Sequence, residues 1–358
     1  ILLRGTQPDG GGWKTVPAAN WSPLALFTLF LLTKSVTAGT ILYLNQTVAA
    51  QARALQNEAA VLMTTHLPPN LPDQENAAGL YRGASIIFED DDAFQEFLQD
   101  NAQSFADPIT QEEIAFLTRH VETLELLRQA AARPVCRFTR DYPRPSVDML
   151  LPEIQFFRNA ARILAVSAHY QVSIGNMPAA LRDVSSIIKM SLHASSEPIL
   201  ISGLVGLSID AIAIDVLIDI LPFIDADDLV LLKSNDIYNF LSVPPSLTKN
   251  IYGEEAFGLT IFSIFGTGKF EQWQLASLLI DDLHVPDSFY QQNSFLNPAL
   301  AAYRIFLFPQ DLAVYQQTMR SYQRVAESSD SYAARQTILK NVEDDLSSGR
   351  PKGFMTAY

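Results

Sequence analysis

Few side chains in this 358-residue chain have a type and spacing that could do chemistry. The histidines, His66, His120, His169, His193 and His284, are scattered. None belongs to a His-Glu-x-x-His pattern, which would put two imidazoles and a general base on one helix face. His193 and Glu197 are four apart, but Pro198 predicts a helix break between them. The tract FGTGKF at 265–270 resembles a phosphate loop, yet Ser263 stands where the first glycine is needed and Phe270 where a hydroxyl should meet magnesium. It reads as a turn. There is no dinucleotide fingerprint and no Gly-x-Ser-x-Gly elbow. Cys136 is the sole cysteine, so no intramolecular disulfide forms, and it reads as a small half-buried hydrophobe. No cofactor or metal is expected.

Carboxylates remain. Doublets occur at Glu112-Glu113, Asp227-Asp228, Glu254-Glu255, Asp281-Asp282 and Asp344-Asp345. Neighbours on a helix point about 100° apart, so a doublet does not converge on one substrate. Glu254 and Glu255 are the best candidates, because the apolar residues of IYGEEAFGL could bury one of them and raise its pKa. Asp210 and Asp215, followed by Asp219, recur at intervals of five and four and are expected near one face of an apolar helix. The run Glu89–Asp92 lacks the spacing of a calcium loop.

The charge balance excludes one class of partner. With a formal net charge of −14, the surface repels nucleic acid. The densest basic stretch, Arg133, Arg137, Arg140 and Arg144, reads as a loop pairing with the surrounding acids.

The elements that hold these residues begin with Pro23–Leu44, PLALFTLFLLTKSVTAGTILYL. As a helix this tract extends about 33 Å, near the thickness of a bilayer core, with Trp21 and Tyr43 at its two ends. It is expected to be a single transmembrane span contacting lipid. Lys34, mid-span, costs on the order of 3 kcal/mol there unless it snorkels or meets an acid on a neighbouring subunit, which makes it the candidate intramembrane contact. Val36-Thr37-Ala38 offers a signal-cleavage alternative, but a chain that retains residues 1–44 favours an anchor. Arg4 and Lys14 precede the tract and no cation follows it until Arg53. That bias predicts a cytoplasmic N-terminus at a bacterial inner membrane, with the main domain periplasmic.

Beyond the tract the sequence predicts an all-α fold. The first helix should run on to Thr65 as a stalk and end at HLPPNLPDQ. Helices follow over 75–88 and, from a capping box at Thr110–Glu113, over 110–132. The strongest helical tract comes next, with breaks at Gly175-Asn176 and Glu197-Pro198. Further helices are expected over 225–241, 254–265, 271–283, 298–306 and 312–342. Ala168, Tyr170, Gly175, Ala179, Ala180 and Leu181 are spaced as in one tetratricopeptide-like hairpin, with no second copy. The expected division is a tail over 1–22, a span over 23–44, a stalk over 45–65, an N-terminal helical part over 66–148 and a main domain over 149–358.

PDQENAAGLYRGA at 72–84, the tract from Leu151 to Asp215 and YGEEAFG together resemble a group of uncharacterised, membrane-anchored proteins of planctomycete-type bacteria. The resemblance implies one N-terminal span, an extracytoplasmic helical domain and no established activity. The leading expectation is therefore a membrane-anchored scaffolding subunit that contacts other envelope subunits. A peptide- or ligand-binding module, with a groove beside the hairpin at 150–193, is one alternative. A hydrolase using buried acids is the other.

Overall fold

The structure is a computed structural model that describes residues 23–89, 91, 108–145, 151–234, 237–242, 246–267, 302–328 and 332–347. Among these the chain is all helical, and the only β-type pairing is one isolated bridge between Asn76 and Val135. The helix expected over 271–283 lies outside the described residues, as do residues 298–301 of the one expected over 298–306, of which 302–306 is helical.

Helix α1, Pro23–Thr65, is unbroken over 43 residues, about 65 Å. Its sequence has no interior proline, and His66-Leu67-Pro68-Pro69 ends it. The two halves of α1 differ. In the second, Val48, Ala52, Leu55, Ala59 and Met63 are buried at helical spacing against α10, Thr248–Thr267. In the first, Phe30, Leu31, Leu32, Val36, Ile41, Leu42 and Tyr43 are exposed.

The span expected over 23–44 is not found: among the described residues no helix is long and apolar enough to cross a membrane. Lys34 and the hydroxyls of Thr33, Ser35, Thr37 and Thr40 dilute the tract.

Helices α2, Ala78–Glu89, and α4, Val121–Ala131, pack on each other. Between them comes α3, Gln111–Arg119, which starts with the expected reciprocal cap between Thr110 and Glu113. The expected continuous helix over 110–132 is interrupted at His120, whose backbone leaves helical geometry.

The centre is a three-helix unit. Helices α5, Glu153–Ser173, and α6, Met177–Ala194, form an antiparallel hairpin whose turn uses Gly175 at φ 75°. Helix α7, Leu200–Ile220, packs on both. Their inward residues, with those of α2 to α4, make one core around Tyr81, Leu127, Phe157, Ile163, Leu181 and Ile187. A second core joins α1, Tyr142, α10 and α11, Phe308–Glu327.

Three boundaries differ from expectation. The helix expected over 225–241 is two short ones, α8, Asp228–Ser234, and α9, Ile237–Ser242. Helix α10 starts at Thr248 rather than Glu254, since no breaker separates the two. The helix expected over 312–342 is divided into α11 and α12, Tyr332–Ser347, with Ser328 extended between them.

Candidate functional site

The two cores meet at the loop after α4, and here the chain gathers its buried polar groups. Asn76, just before α2, holds the loop with its amide. Its Oδ1 accepts from the backbone N–H of Arg137 (2.9 Å) and of Ala78 (3.1 Å), and its Nδ2 donates to the Arg137 carbonyl. Ala77 N–H donates to the Val135 carbonyl at 2.8 Å. Two turns of backbone are thereby locked together with their polar groups satisfied.

Behind this joint lies an ion network. Arg140 donates to Glu153 Oε2 at 2.7 Å and, through Nε, to Glu197 Oε1 at 3.2 Å. Tyr142 donates to the same Glu197 oxygen at 2.6 Å. Arg82 approaches Glu153 from the other side at 3.5 Å. Tyr142 belongs to the second core and Glu153 caps the first, so the network fastens one to the other. Asn250 of α10 adds a neutral tie, donating to the carbonyls of Glu197 (2.7 Å) and Ile199 (3.1 Å). A separate fork, Arg128 on Asp183, closes the α4–α6 contact at 2.6 and 3.1 Å, with Ser167 donating to the same carboxylate. Burial pushes the Asp183 carboxyl up and the Arg128 fork opposes it, while Arg128 itself is held more strongly protonated.

An open cleft of about 420 Å³ lies beside the joint, lined by Pro68, Val135, Cys136, Lys189, Leu192 and His193 among others. The His193 ring is fully used. Its Nε2 lies 3.1 Å from the Arg133 carbonyl, which can only accept, so Nδ1 accepts from the Tyr81 hydroxyl at 3.0 Å. Burial lowers the His193 pKa to about 4, so the ring is neutral near pH 7. Burial, with Glu197 and Glu153 nearby, pushes the Cys136 thiol up, opposite to an activated cysteine. In this cleft His193 is therefore not a free base and Cys136 not a thiolate.

The sequence candidates do not come together. Lys34 sits on the exposed half of α1, 5.4 Å from the Phe30 ring centre one turn earlier. Asp210 points to α6, where Ser191 donates to it, and burial raises its pKa. Asp215 is exposed, and Asp219 faces His169 of α5 at 3.5 Å. The expected common face is thus corrected: five residues turn a helix through about 500°, so Asp210 and Asp215 diverge by about 140°. Glu255 is buried and accepts from Gln323 of α11, and burial raises its pKa most. Glu254 is half-buried, also raised by burial. Neither lines the cleft. Asp91 pairs with His120 at 2.8 Å and Arg119 at 3.6 Å, as a structural contact.

Sequence reasoning missed Glu153, Arg128 and Asp183, and it considered Glu197 beside His193 rather than with Arg140 and Tyr142. The available signal was a charged residue at an inward helical position, as Asp183 is between Leu181 and Val184. Among the described residues no group of three or more histidine, cysteine or acidic side chains could hold a metal ion. No family model, curated protein or solved structure matches the chain.

Proposed function

We propose that the protein is a membrane-attached scaffolding subunit: the first half of α1 lies in an apolar phase and the helical body is held beside it to contact other proteins. The observation that carries this is the exposure of Phe30, Leu31, Leu32, Val36, Ile41, Leu42 and Tyr43 over about two thirds of the circumference of α1, the remaining arc holding Thr33, Thr37 and Thr40. An exposed apolar surface of this extent is stable only when covered. The polar residues among them are muted. Thr33, Thr37, Thr40 and Thr47 each donate to a carbonyl one turn back, at 2.7 to 3.0 Å, which lowers the cost of placing them in lipid. Lys34 is accommodated by snorkelling or by an acid on a neighbouring subunit. The likeness to single-span planctomycete-type proteins, and the flanking Arg4 and Lys14, agree with a bacterial inner membrane and an extracytoplasmic body.

Flotation tests it. The full chain should float with phosphatidylcholine vesicles, and a Leu31→Gln, Leu32→Gln, Leu42→Gln variant of unchanged helicity should not. Recovery of the unaltered chain away from the vesicles would overturn the reading. Cross-linking in native membranes should give oligomers that Lys34→Leu reduces; only monomers would remove the scaffold part.

The cleft beside the α5–α6 hairpin favours a second reading, a peptide- or ligand-binding module with one tetratricopeptide-like hairpin as its wall. Its apolar prolines and Leu192, with Lys189 at the side, suit a short apolar peptide bearing a carboxylate. A Leu192→Asp variant that leaves such a peptide's chemical-shift effects unchanged would rule out the cleft.

A further inference from the structure

Helix α7 is apolar on its outer as well as its inner side, apart from Asp210, Asp215 and Asp219, yet only one side of it is covered. Gly203, Gly206, Ile209, Ala213, Val216 and Ile220 are buried against α5, α6 and α10. The opposite side exposes Ile201, Leu204, Ile214, Ile218 and Leu221, with Phe223 just beyond; Ile218 is 62% and Phe223 65% exposed. Successive positions are three, ten, four and three residues apart, which keeps them on the outer half of the helix as a broad stripe about 30 Å long. An isolated exposed leucine is ordinary, but a stripe of this length with a helical repeat matches the anchors of helix-on-helix recognition.

Charge selects the occupant. Asp215 lies within the stripe, and Asp225, Asp227 and Asp228 stand past its C-terminal end. None of the four is in an ion pair among the described residues. Among the described residues, the carboxylates of Asp225 and Asp228 accept from backbone N–H groups and meet no cation. The C-terminal pole of α7 adds partial negative charge at the same end. An anionic bilayer is repelled by this arrangement, and a second copy would bring the same acids to the interface. The chain's own 268–301 stretch carries Lys269 against Glu271, Asp281, Asp282 and Asp287, again the wrong sign.

We infer that the outer face of α7 docks an amphipathic helix of a partner protein, its apolar side on the Ile201–Leu221 stripe and its lysines or arginines over Asp215 and the Asp225–Asp228 turn. The site is built on a different helix from α1 and stands or falls apart from membrane attachment.

The probe is a fluorescein-labelled amphipathic leucine–lysine helix of about 18 residues, long enough to match the stripe. Fluorescence anisotropy with the full chain should show saturable binding. Ile214→Ser with Ile218→Ser should weaken it about tenfold or more without altering the melting temperature, because both side chains are exposed. Asp215→Asn with Asp227→Asn should weaken it and flatten its salt dependence. Val121→Ser, an exposed apolar residue on α4, should change nothing. The inference is overturned if the isoleucine variant binds as well as the unaltered chain, or if a leucine–glutamate helix binds equally. It is also overturned if the isoleucine substitutions instead abolish self-association in sedimentation, or binding to vesicles.

Discussion

The Tyr81 hydroxyl donates to Nδ1 of His193 at 3.0 Å, linking α2 to the end of α6 across 112 residues of sequence. The bond requires a neutral imidazole, since a protonated ring has no acceptor to offer. Burial enforces the same state and takes the His193 pKa to about 4.

That coupling makes stability depend on pH with a definite sign. The folded pKa is about 4 and the unfolded reference 6.5, so between them the unfolded chain binds more protons. The contribution of His193 is complete above pH 6.5 and declines as pH falls towards 4, by about 3 kcal/mol in full. Urea denaturation at intervals across this range should show the decline. His193→Gln should lower stability near pH 7 and remove this part of the slope. An unchanged slope in the variant would place the proton uptake elsewhere.

Arg140 should matter more than any exposed charge. Its removal leaves Glu153 and Glu197 facing each other with little solvent, at side-chain exposures of 10% and 5%. Arg140→Ala is expected to cost about 3–5 kcal/mol by thermal or urea denaturation. Glu153→Gln with Glu197→Gln in the same background should recover part of it, because the uncompensated charges are gone. A loss below about 1 kcal/mol would mean that water already reaches the network.

Two glycines give opposite expectations. A Cβ at Gly253 would fall 1.4 Å from the Pro198 carbonyl oxygen, against backbone that cannot move aside, so α10 meets the α6–α7 turn only because the residue is glycine. Gly253→Ala should destabilise by about 1–3 kcal/mol or more. At Gly79 in α2 nothing lies within 4 Å, and Gly79→Ala should stabilise by about 0.5–1 kcal/mol through helix propensity. Equal melting temperatures for the two variants would contradict this packing of α10.

Much of the helical fold was legible from the sequence. Apolar spacing near 3.6, the Thr110 cap and the prolines at 68 and 69 set the helix limits to within a few residues. The divisions at His120 and Ser328 were not legible, since no glycine or proline marks them. The acids of α7 were misplaced by a periodicity argument that treated a five-residue step as a return to the same face. Least legible was the polar joint. Arg140 could be read as a pairing residue, yet its partner Glu197 is 57 positions away and becomes a neighbour only when the loop after α4 folds against the α6–α7 turn. Asn76 and Tyr81, in the motif at 72–84, carry no chemical signature in sequence. Their roles, a loop clamp and a lock on His193, exist only in three dimensions.

The central claim concerns what surrounds the first half of α1. Cys136 is buried with its thiol pushed up, so an introduced surface cysteine can be labelled beside it. Val36→Cys and Val61→Cys, at positions 67% and 62% exposed on the two halves of α1, would each carry the environment-sensitive fluorophore NBD. On adding phosphatidylcholine vesicles, the label at 36 should shift to the blue and brighten, while the label at 61 keeps its emission in water. A label at 36 that stays water-like, or two labels that respond alike, would contradict membrane attachment through α1.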